Sequence, residues 1–163
     1  MNIFFLDNDP QLAAIYHGDK HVVKMILESA QLLSTAHHVL DGDKEGLYKK
    51  THMNHPCAIW TRESSHNYLW LLSLLKHLCD EYTFRYKKIH KTSQLIPALN
   101  ELPSSIKNTT FTKPAQAMPE EFKNENSVVA YRNYYREKIK QNIAQWRKTR
   151  EAPLWIGDDY AII

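Results

Sequence analysis

The sequence predicts an all-α fold, arranged as a single compact helical domain with a short extended N-terminus and long loops. Three long stretches place apolar residues at helical spacing, which is the main sequence signal for buried helices. Glycine occurs only four times in 163 residues, which is too few for the tight turns of a β-sandwich or barrel. The hydrophobic fraction of 43 % is typical of a globular protein and excludes a disordered one.

The first elements are predicted from short patterns. Residues 3–6 are apolar but too few for a helix, so we expect an extended piece against the core. Pro10 directly after Asp9 indicates the start of a short helix that runs to about Tyr16, because proline is favoured at the first helical position. Residues 19 to about 39 are apolar over most of a helical circumference, which is typical of a central helix.

The middle of the chain alternates between loops and helices. Residues 48–56 are basic and rich in histidine and are predicted to be irregular. Thr61 is the expected cap of a second long helix, which covers residues 62 to about 86. A short helix is expected over residues 93–101, followed by a loop over residues 103–119.

The C-terminal part is predicted to hold the third long helix, from residue 127 to about 149. The apolar residues 153–157 are expected to pack back onto the core. No linker or repeat interrupts the chain, so residues 1–163 are expected to form one domain. A signal peptide and a spanning segment are not evident, which predicts a cytoplasmic protein that does not associate with a membrane.

The first long helix carries a polar stripe. Side chains spaced three or four residues apart share one helix face, and here they are His17, His21, Lys24, Glu28, Gln31 and Ser34 or Thr35. Two interpretations are open: a solvated face with a Lys–Glu pair, or one wall of a polar pocket.

A second stripe follows on the next long helix. Its members recur at helical spacing and are Arg62, His66, Ser73, His77, Glu81 and Arg85. If the two helices pack side by side, the two stripes face each other across a cleft suited to acid–base chemistry. The predicted catalytic residues are His21, Lys24, Glu28 and His66.

Histidine is abundant, with nine residues in the chain, so a metal site is an alternative. Imidazole and carboxylate ligands suit zinc or iron. The alternative ligand set is His17, His21, Glu28, His55 and His66. Because no standard metal-binding motif is present, the primary expectation is a protein without a cofactor.

The last third of the chain is basic and aromatic. Such residues can contact phosphates and stack on bases, which predicts DNA or a nucleotide as the partner. The net charge of only +3 indicates a one-sided contact. The predicted substrate-binding residues are His55, Arg62, Glu81, Arg85, Arg132, Arg136 and Trp146. The alternative is a solvated helix face with its tyrosines in the core.

The order of these features resembles the pyrimidine dimer DNA glycosylase family of bacteriophage endonuclease V. The resemblance is spread over most of the chain in short pieces. Those pieces are Asp19–His21, His55–Pro56, Glu81–Tyr86, Met118–Phe122, Glu137–Ile139 and Ala152–Trp155.

The resemblance implies a DNA glycosylase with AP lyase activity. Members of the family use their N-terminal amine as the nucleophile and a carboxylate on the first long helix. In this chain Asn2 follows Met1, so the amine implied is that of Met1. The nearest register places His21 at the carboxylate position, and Glu28 lies two turns further on.

Three functions are therefore carried forward. The first is the glycosylase and lyase, in which Lys24 is the nucleophile within the chain, Glu28 stabilises the sugar cation, and Arg62, Arg85 and the basic C-terminal helix hold phosphates. The second is a metal-dependent helical enzyme that acts on a nucleotide or small substrate. The third is a non-catalytic DNA-binding relative.

Overall fold

The computed structural model describes residues 1–157, and the regular secondary structure of these residues is entirely helical. Along them lie the helices α1 (Pro10–Tyr16), α2 (Asp19–Asp41), α3 (Pro56–Glu63), α4 (Ser65–Tyr86), α5 (Ile96–Leu99) and α6 (Ser127–Lys140). Short 3₁₀ turns lie at Lys91–Leu95, Glu120–Phe122 and Leu154–Gly157. The predicted all-α class is confirmed. Among these helices, none combines the length and the apolar character needed to cross a bilayer.

The long helices α2 and α4 form the centre of the domain, and α1 and α3 pack against them. The core face of α4 consists of leucines three or four residues apart, and all of them are fully buried: Leu71, Leu74, Leu75 and Leu78. Burial of one such side chain stabilises a fold by about 1.5–3 kcal/mol. The apolar periodicity of both helices therefore accounts for their position in the structure.

The N-terminal segment is buried, as its short apolar run predicted, but it is not extended throughout: Phe4 has a φ of +37°, and the N–H of Leu6 donates to the Phe4 carbonyl at 2.7 Å in a tight bend. Ile3 and Leu6 are fully buried, and Phe4 and Phe5 are at most 5 % exposed. Asn2 anchors the start of the segment: its amide oxygen accepts hydrogen bonds from the backbone N–H groups of Ile3 and Phe4. Its amide nitrogen donates to the carbonyl of Ala117 at 3.0 Å. These three hydrogen bonds of Asn2 fix the position at which the segment enters the core.

The start of the second long helix differs from the prediction. The Thr61 hydroxyl donates to the carbonyl of Cys57 inside α3 and caps nothing. The cap is Ser64, whose backbone is extended and whose hydroxyl accepts from the N–H of Asn67 at 3.0 Å. The chain therefore makes two helices, because Ser64 leaves the helical conformation between Glu63 and Ser65.

The last long helix ends earlier than residue 149. α6 stops at Lys140, and Asn142 adopts a left-handed conformation with φ of +59°. The chain then turns toward α2, where a Cβ at Gly18 would lie 3.0 Å from the Cα of Ala144. A larger residue at this position would require the backbone at Ala144 to shift, so glycine favours the close approach of the two segments. The tail packs back as expected, with Trp155 at 5 % exposure.

A buried ion network joins four parts of the chain around Arg85. The Arg85 side chain is fully buried and lies 2.8 Å from Glu81 and 3.2 Å from Asp19. It also donates to the carbonyls of Ile15 and His17. Arg150 binds the other side of Glu81 at 2.6 Å. The network ties α1, the start of α2, α4 and the C-terminal segment together.

We expect Arg85→Ala to lower the free energy of unfolding by about 3–5 kcal/mol, because it leaves buried Asp19 without its counter-charge and removes one of the two arginines that bind Glu81. Urea denaturation followed by circular dichroism measures the loss. Arg150→Ala is the matched control, since its side chain is 32 % exposed and Glu81 keeps Arg85. We expect a smaller loss there. Equal losses in the two variants would contradict the central role of Arg85.

Candidate active site

The structure brings the N-terminal amine and a carboxylate together. The Met1 amine lies 3.3 Å from Oε1 of Glu28, and the two side chains are only 5 % and 11 % exposed. The second oxygen, Oε2, is buried and makes no hydrogen bond with the residues that the structure describes. Lys24 Nζ lies 3.9 Å from this oxygen, but its side chain is 66 % exposed. The Glu28 carboxylate is therefore buried between two cationic groups, and one of its oxygens lacks a hydrogen-bond donor among the described residues.

The amine is positioned by the buried N-terminal segment and by the start of α3. The thiol of Cys57 contacts the Tyr131 hydroxyl and the Ile3 backbone, so α3 is attached directly to that segment. Burial raises the pKa of the Cys57 thiol to about 12. The thiol therefore stays protonated at neutral pH and serves packing, not nucleophilic chemistry.

His55 lies at the same site. Its Nδ1 accepts a hydrogen bond from the N–H of Cys57 at 3.0 Å and caps α3. A neutral ring in this arrangement carries its proton on Nε2. Burial lowers the pKa of His55, and the positive Met1 amine lowers it further, whereas Glu28 acts in the opposite direction. His55 is thus held as a neutral ring within electrostatic reach of both groups.

His17 and His21 are placed in an aromatic cluster behind this site. His21 stacks on Phe4 with ring centres 4.6 Å apart and is 4 % exposed. The Tyr135 hydroxyl accepts from the Gly18 N–H at 2.6 Å and donates to His21 Nδ1 at 2.9 Å. His17 donates to the Ala13 carbonyl at 2.6 Å. Burial lowers the pKa of His17 to about 4 and that of His21 to about 3.

The polar stripe of the second long helix is not brought to the amine. Glu81 and Arg85 belong to the buried ion network described above. The exposed ring of His66 pairs instead with the Thr109 carbonyl, at 2.5 Å. Arg62 lines a separate surface recess with Leu40, Ile59, Glu63, Ser105 and Lys107. The two stripes therefore do not form a shared cleft.

The basic residues of the C-terminal third are largely used within the fold. Arg132 donates to the Leu6 carbonyl at 2.8 Å and pairs with Asp7 at 2.9 Å. Arg136 donates to the Trp155 carbonyl at 2.6 Å. Trp146 packs its ring 6.0 Å from that of Tyr135. These side chains hold the C-terminal tail and the N-terminal segment against α6.

The alternative metal ligands are distributed over separate environments. His17 and His21 face the aromatic cluster, His55 lies near Glu28, and His66 bonds to a loop carbonyl. Within residues 1–157, no three histidine, cysteine or acidic side chains converge in an arrangement that could hold a metal ion.

Two positioning residues were not identified from the sequence. Asn2 looks like any polar residue near a terminus, and its contact with Ala117 spans more than a hundred positions. Tyr135 lies in a run of tyrosines and bonds to Gly18 and His21 from the far end of the chain. No local pattern marks such contacts.

The comparison with protein families gives the class of the protein. The family model of pyrimidine dimer DNA glycosylases matches residues 1–95 of the 163-residue chain. The chain therefore belongs to the pyrimidine dimer DNA glycosylase family, as its resemblance predicted. The matched part includes Met1, Lys24, Glu28 and His55. No curated protein and no solved structure gave a match. Family membership supports a glycosylase-like function in general and implies DNA as the bound substrate.

The buried histidines predict a pH-dependent stability. In the unfolded chain both rings are protonated below about pH 6.5. In the folded chain the pKa is about 4 for His17 and about 3 for His21, so both rings stay neutral to lower pH. The contribution of the two neutral histidines to the free energy of unfolding is therefore fully present above pH 6.5 and is lost as the pH falls below that value. Between pH 6.5 and 5 we expect a loss of about 2 kcal/mol for each histidine.

Urea denaturation at a series of pH values measures this slope. His21→Asn provides the comparison, because its amide oxygen can accept from Tyr135 and does not titrate. We expect a less stable variant with a shallower pH slope. A wild-type stability that is flat between pH 6.5 and 5 would contradict the assignment.

Proposed function

We propose that this protein is a pyrimidine dimer DNA glycosylase and AP lyase of the bacteriophage endonuclease V type, with the Met1 amine as its nucleophile. The observation that carries the proposal is the 3.3 Å pair of that amine with Glu28, in a site with little exposure. The family match over the residues that form the pair supports the class of reaction.

The reaction begins with loss of a proton from the amine, for which Glu28 Oε1 is the adjacent acceptor. The amine nitrogen then attacks C1′ of the damaged nucleotide, and the glycosidic bond breaks as the base takes the bonding electrons and the proton held by Glu28. The C1′–O4′ bond then breaks as O4′ takes a proton from the attached nitrogen, which leaves a protonated Schiff base between the nitrogen and C1′. Loss of a proton from C2′ then expels the 3′-phosphate, which is the lyase step.

Glu28 has a second role in this scheme. Once Glu28 has passed its proton to the departing base it is again a carboxylate, and in a poorly solvated site it stabilises the positive charge that develops on C1′ and the attached nitrogen. The unpartnered oxygen Oε2 is suited to this task. Glu28 therefore takes the position of the catalytic carboxylate that the sequence register had assigned to His21.

Lys24 is better suited to the phosphate backbone than to nucleophilic attack. Its side chain is 66 % exposed, whereas the Met1 side chain is 5 % exposed and its amine lies against Glu28 Oε1. We propose that Lys24 contacts a phosphate close to the reacting sugar.

An open cleft beside the site offers room for DNA. It has a volume of about 910 Å³ and is lined in part by Pro56, Lys113 and Lys123. Pro56 follows His55 directly, and the loop that lines the opposite wall leads to Ala117, the partner of Asn2. The wall also carries Glu120 and Glu125, and Glu120 pairs with Lys123. We propose that the cleft receives an extruded nucleotide, with Lys113 near a phosphate.

Borohydride trapping tests the nucleophile. Reduction of the Schiff base fixes the protein to ultraviolet-irradiated or abasic duplex DNA, and tryptic peptides identify the attached residue. We expect the adduct on the N-terminal peptide 1–20, which contains no lysine or arginine before Lys20. Glu28→Gln should slow adduct formation by about 10²–10⁴-fold, because it removes the proton acceptor and the charge.

Lys24→Ala separates the two candidate amines. We expect its adduct to form at a rate within about threefold of the wild type, because an exposed phosphate contact contributes little to the chemical step. Lys20→Ala is the matched control, since Lys20 is exposed on the same helix. An adduct that maps to Lys24 and disappears in Lys24→Ala would reassign the nucleophile. A wild-type protein without any adduct would refute the proposed function.

A further inference from the structure

The turn formed by residues 52–55 is hydrogen-bonded, although its side chains are largely exposed. The N–H of His55 donates to the carbonyl of His52 at 2.9 Å. The Thr51 hydroxyl lies 2.7 Å from Nδ1 of His52, whose φ of +47° is in the left-handed region. The turn therefore holds its corner residues, Met53 and Asn54, in one orientation.

Both ends of this turn are attached to helices at the candidate active site. Before it, Thr51 exchanges two hydrogen bonds with the Thr35 hydroxyl on α2, at 3.1 and 3.2 Å. After it, His55 caps α3. Thr35 lies seven residues beyond Glu28, which corresponds to about 10.5 Å along α2. The turn consequently runs along α2 from Thr35 back toward Glu28.

Met53 is exposed close to the amine. Its side chain is 37 % exposed at the corner of the turn. Two peptide units separate it from His55, so their Cα atoms are at most about 7.6 Å apart. His55 in turn lies within electrostatic reach of the Met1 amine. A single exposed methionine is ordinary on a surface, but here it lies in a hydrogen-bonded turn, two residues before a histidine that senses the charges of both Met1 and Glu28.

Cations border the same turn. Lys49 and Lys50 precede it and are exposed, and Lys24 lies on the adjacent face of α2. An apolar tip flanked by lysines complements duplex DNA, in which an apolar base stack lies between two lines of phosphates. The charge around Met53 therefore favours DNA over an apolar protein partner.

The chemistry creates a need for such a tip. An amine reaches C1′ of a stacked nucleotide only after that nucleotide leaves the helix, and the stack is then left with a gap. Proteins that unstack duplex DNA commonly insert an apolar side chain, methionine among them, between base steps. We propose that Met53 is a wedge that enters the base stack beside the damaged nucleotide. This inference rests on the proposed function, because it concerns the same site.

Fluorescence of 2-aminopurine tests the wedge directly. The base is placed next to a thymine dimer in duplex DNA, where unstacking increases its emission. We expect binding of the wild type to raise the emission about twofold or more, and Met53→Ala to give less than about a fifth of that rise. Met53→Leu should retain most of the rise, because it keeps an apolar side chain of similar volume. Ile89→Ala, at an aliphatic residue 81 % exposed elsewhere, should behave as the wild type.

Lyase activity on abasic DNA gives a second readout. A single strand has no stack to open, so only the duplex substrate depends on the wedge. We expect Met53→Ala to lower kcat/KM on duplex DNA by about tenfold or more and on the same single strand by less than about twofold. Equal losses on both substrates, or no loss on either, would overturn the proposal.

The two experiments distinguish the wedge from the proposed function. A wild type that raises the emission, with a much smaller rise in Met53→Ala, but forms no borohydride adduct would refute the lyase and support the wedge. An adduct accompanied by equal emission changes in the wild type and Met53→Ala would refute the wedge alone. A wild type that binds the duplex without any rise in emission would also refute the wedge.

Discussion

The buried charges around Arg85 set the geometry on which the rest of the domain depends. The Arg85 side chain is fully buried, and its guanidinium binds two carboxylates and two backbone carbonyls. Because one of those carboxylates is Asp19, the network defines where α2 begins and how it is rotated. Rotation of α2 determines in turn which side chains point to the N-terminal segment. The position of Glu28 is therefore a consequence of an ion network more than two helical turns away.

The second constraint is the attachment of the N-terminal segment. The side-chain amide of Asn2 forms hydrogen bonds at the start of the segment. The aromatic contacts of Phe4 hold the segment against α6. An amine at the end of a free chain would sample many orientations, and ordering it for reaction would cost conformational entropy. In this domain that entropy is lost during folding, so the amine is already oriented when a substrate arrives.

Much of the fold follows from local patterns, and the differences have identifiable causes. The apolar periodicity of α2 and α4 and the Asp9–Pro10 start of α1 were sufficient to predict those helices. The helix break at Ser64 was missed because Thr61 and Ser64 are equally plausible caps in sequence, and the contacts of Asn67 decide between them. The end of α6 depends on Gly18, which is distant in sequence.

The site was predicted in part for the same reason. Glu28 and His55 were predicted as site residues from the sequence. That both lie near Met1 depends on long-range contacts, which no local pattern indicates. The roles of the basic residues were harder to predict, because the sequence does not distinguish an arginine that forms an ion pair within the fold from one that is available to bind a phosphate. Arg85, Arg132 and Arg136 all have partners within the domain.

The protonated thiol of Cys57 has a consequence for observing the motions of this site. Its side chain is fully buried, and the low thiolate fraction makes it unreactive toward alkylating reagents while α3 stays against the N-terminal segment. Alkylation of Cys57 therefore requires a transient local opening, and the rate of alkylation reports how often such openings occur. Cys79, buried on α4 with a similarly raised pKa, reports the core of the same domain. The ratio of the two modification rates measures how often the surroundings of the Met1 amine open without unfolding of the whole chain.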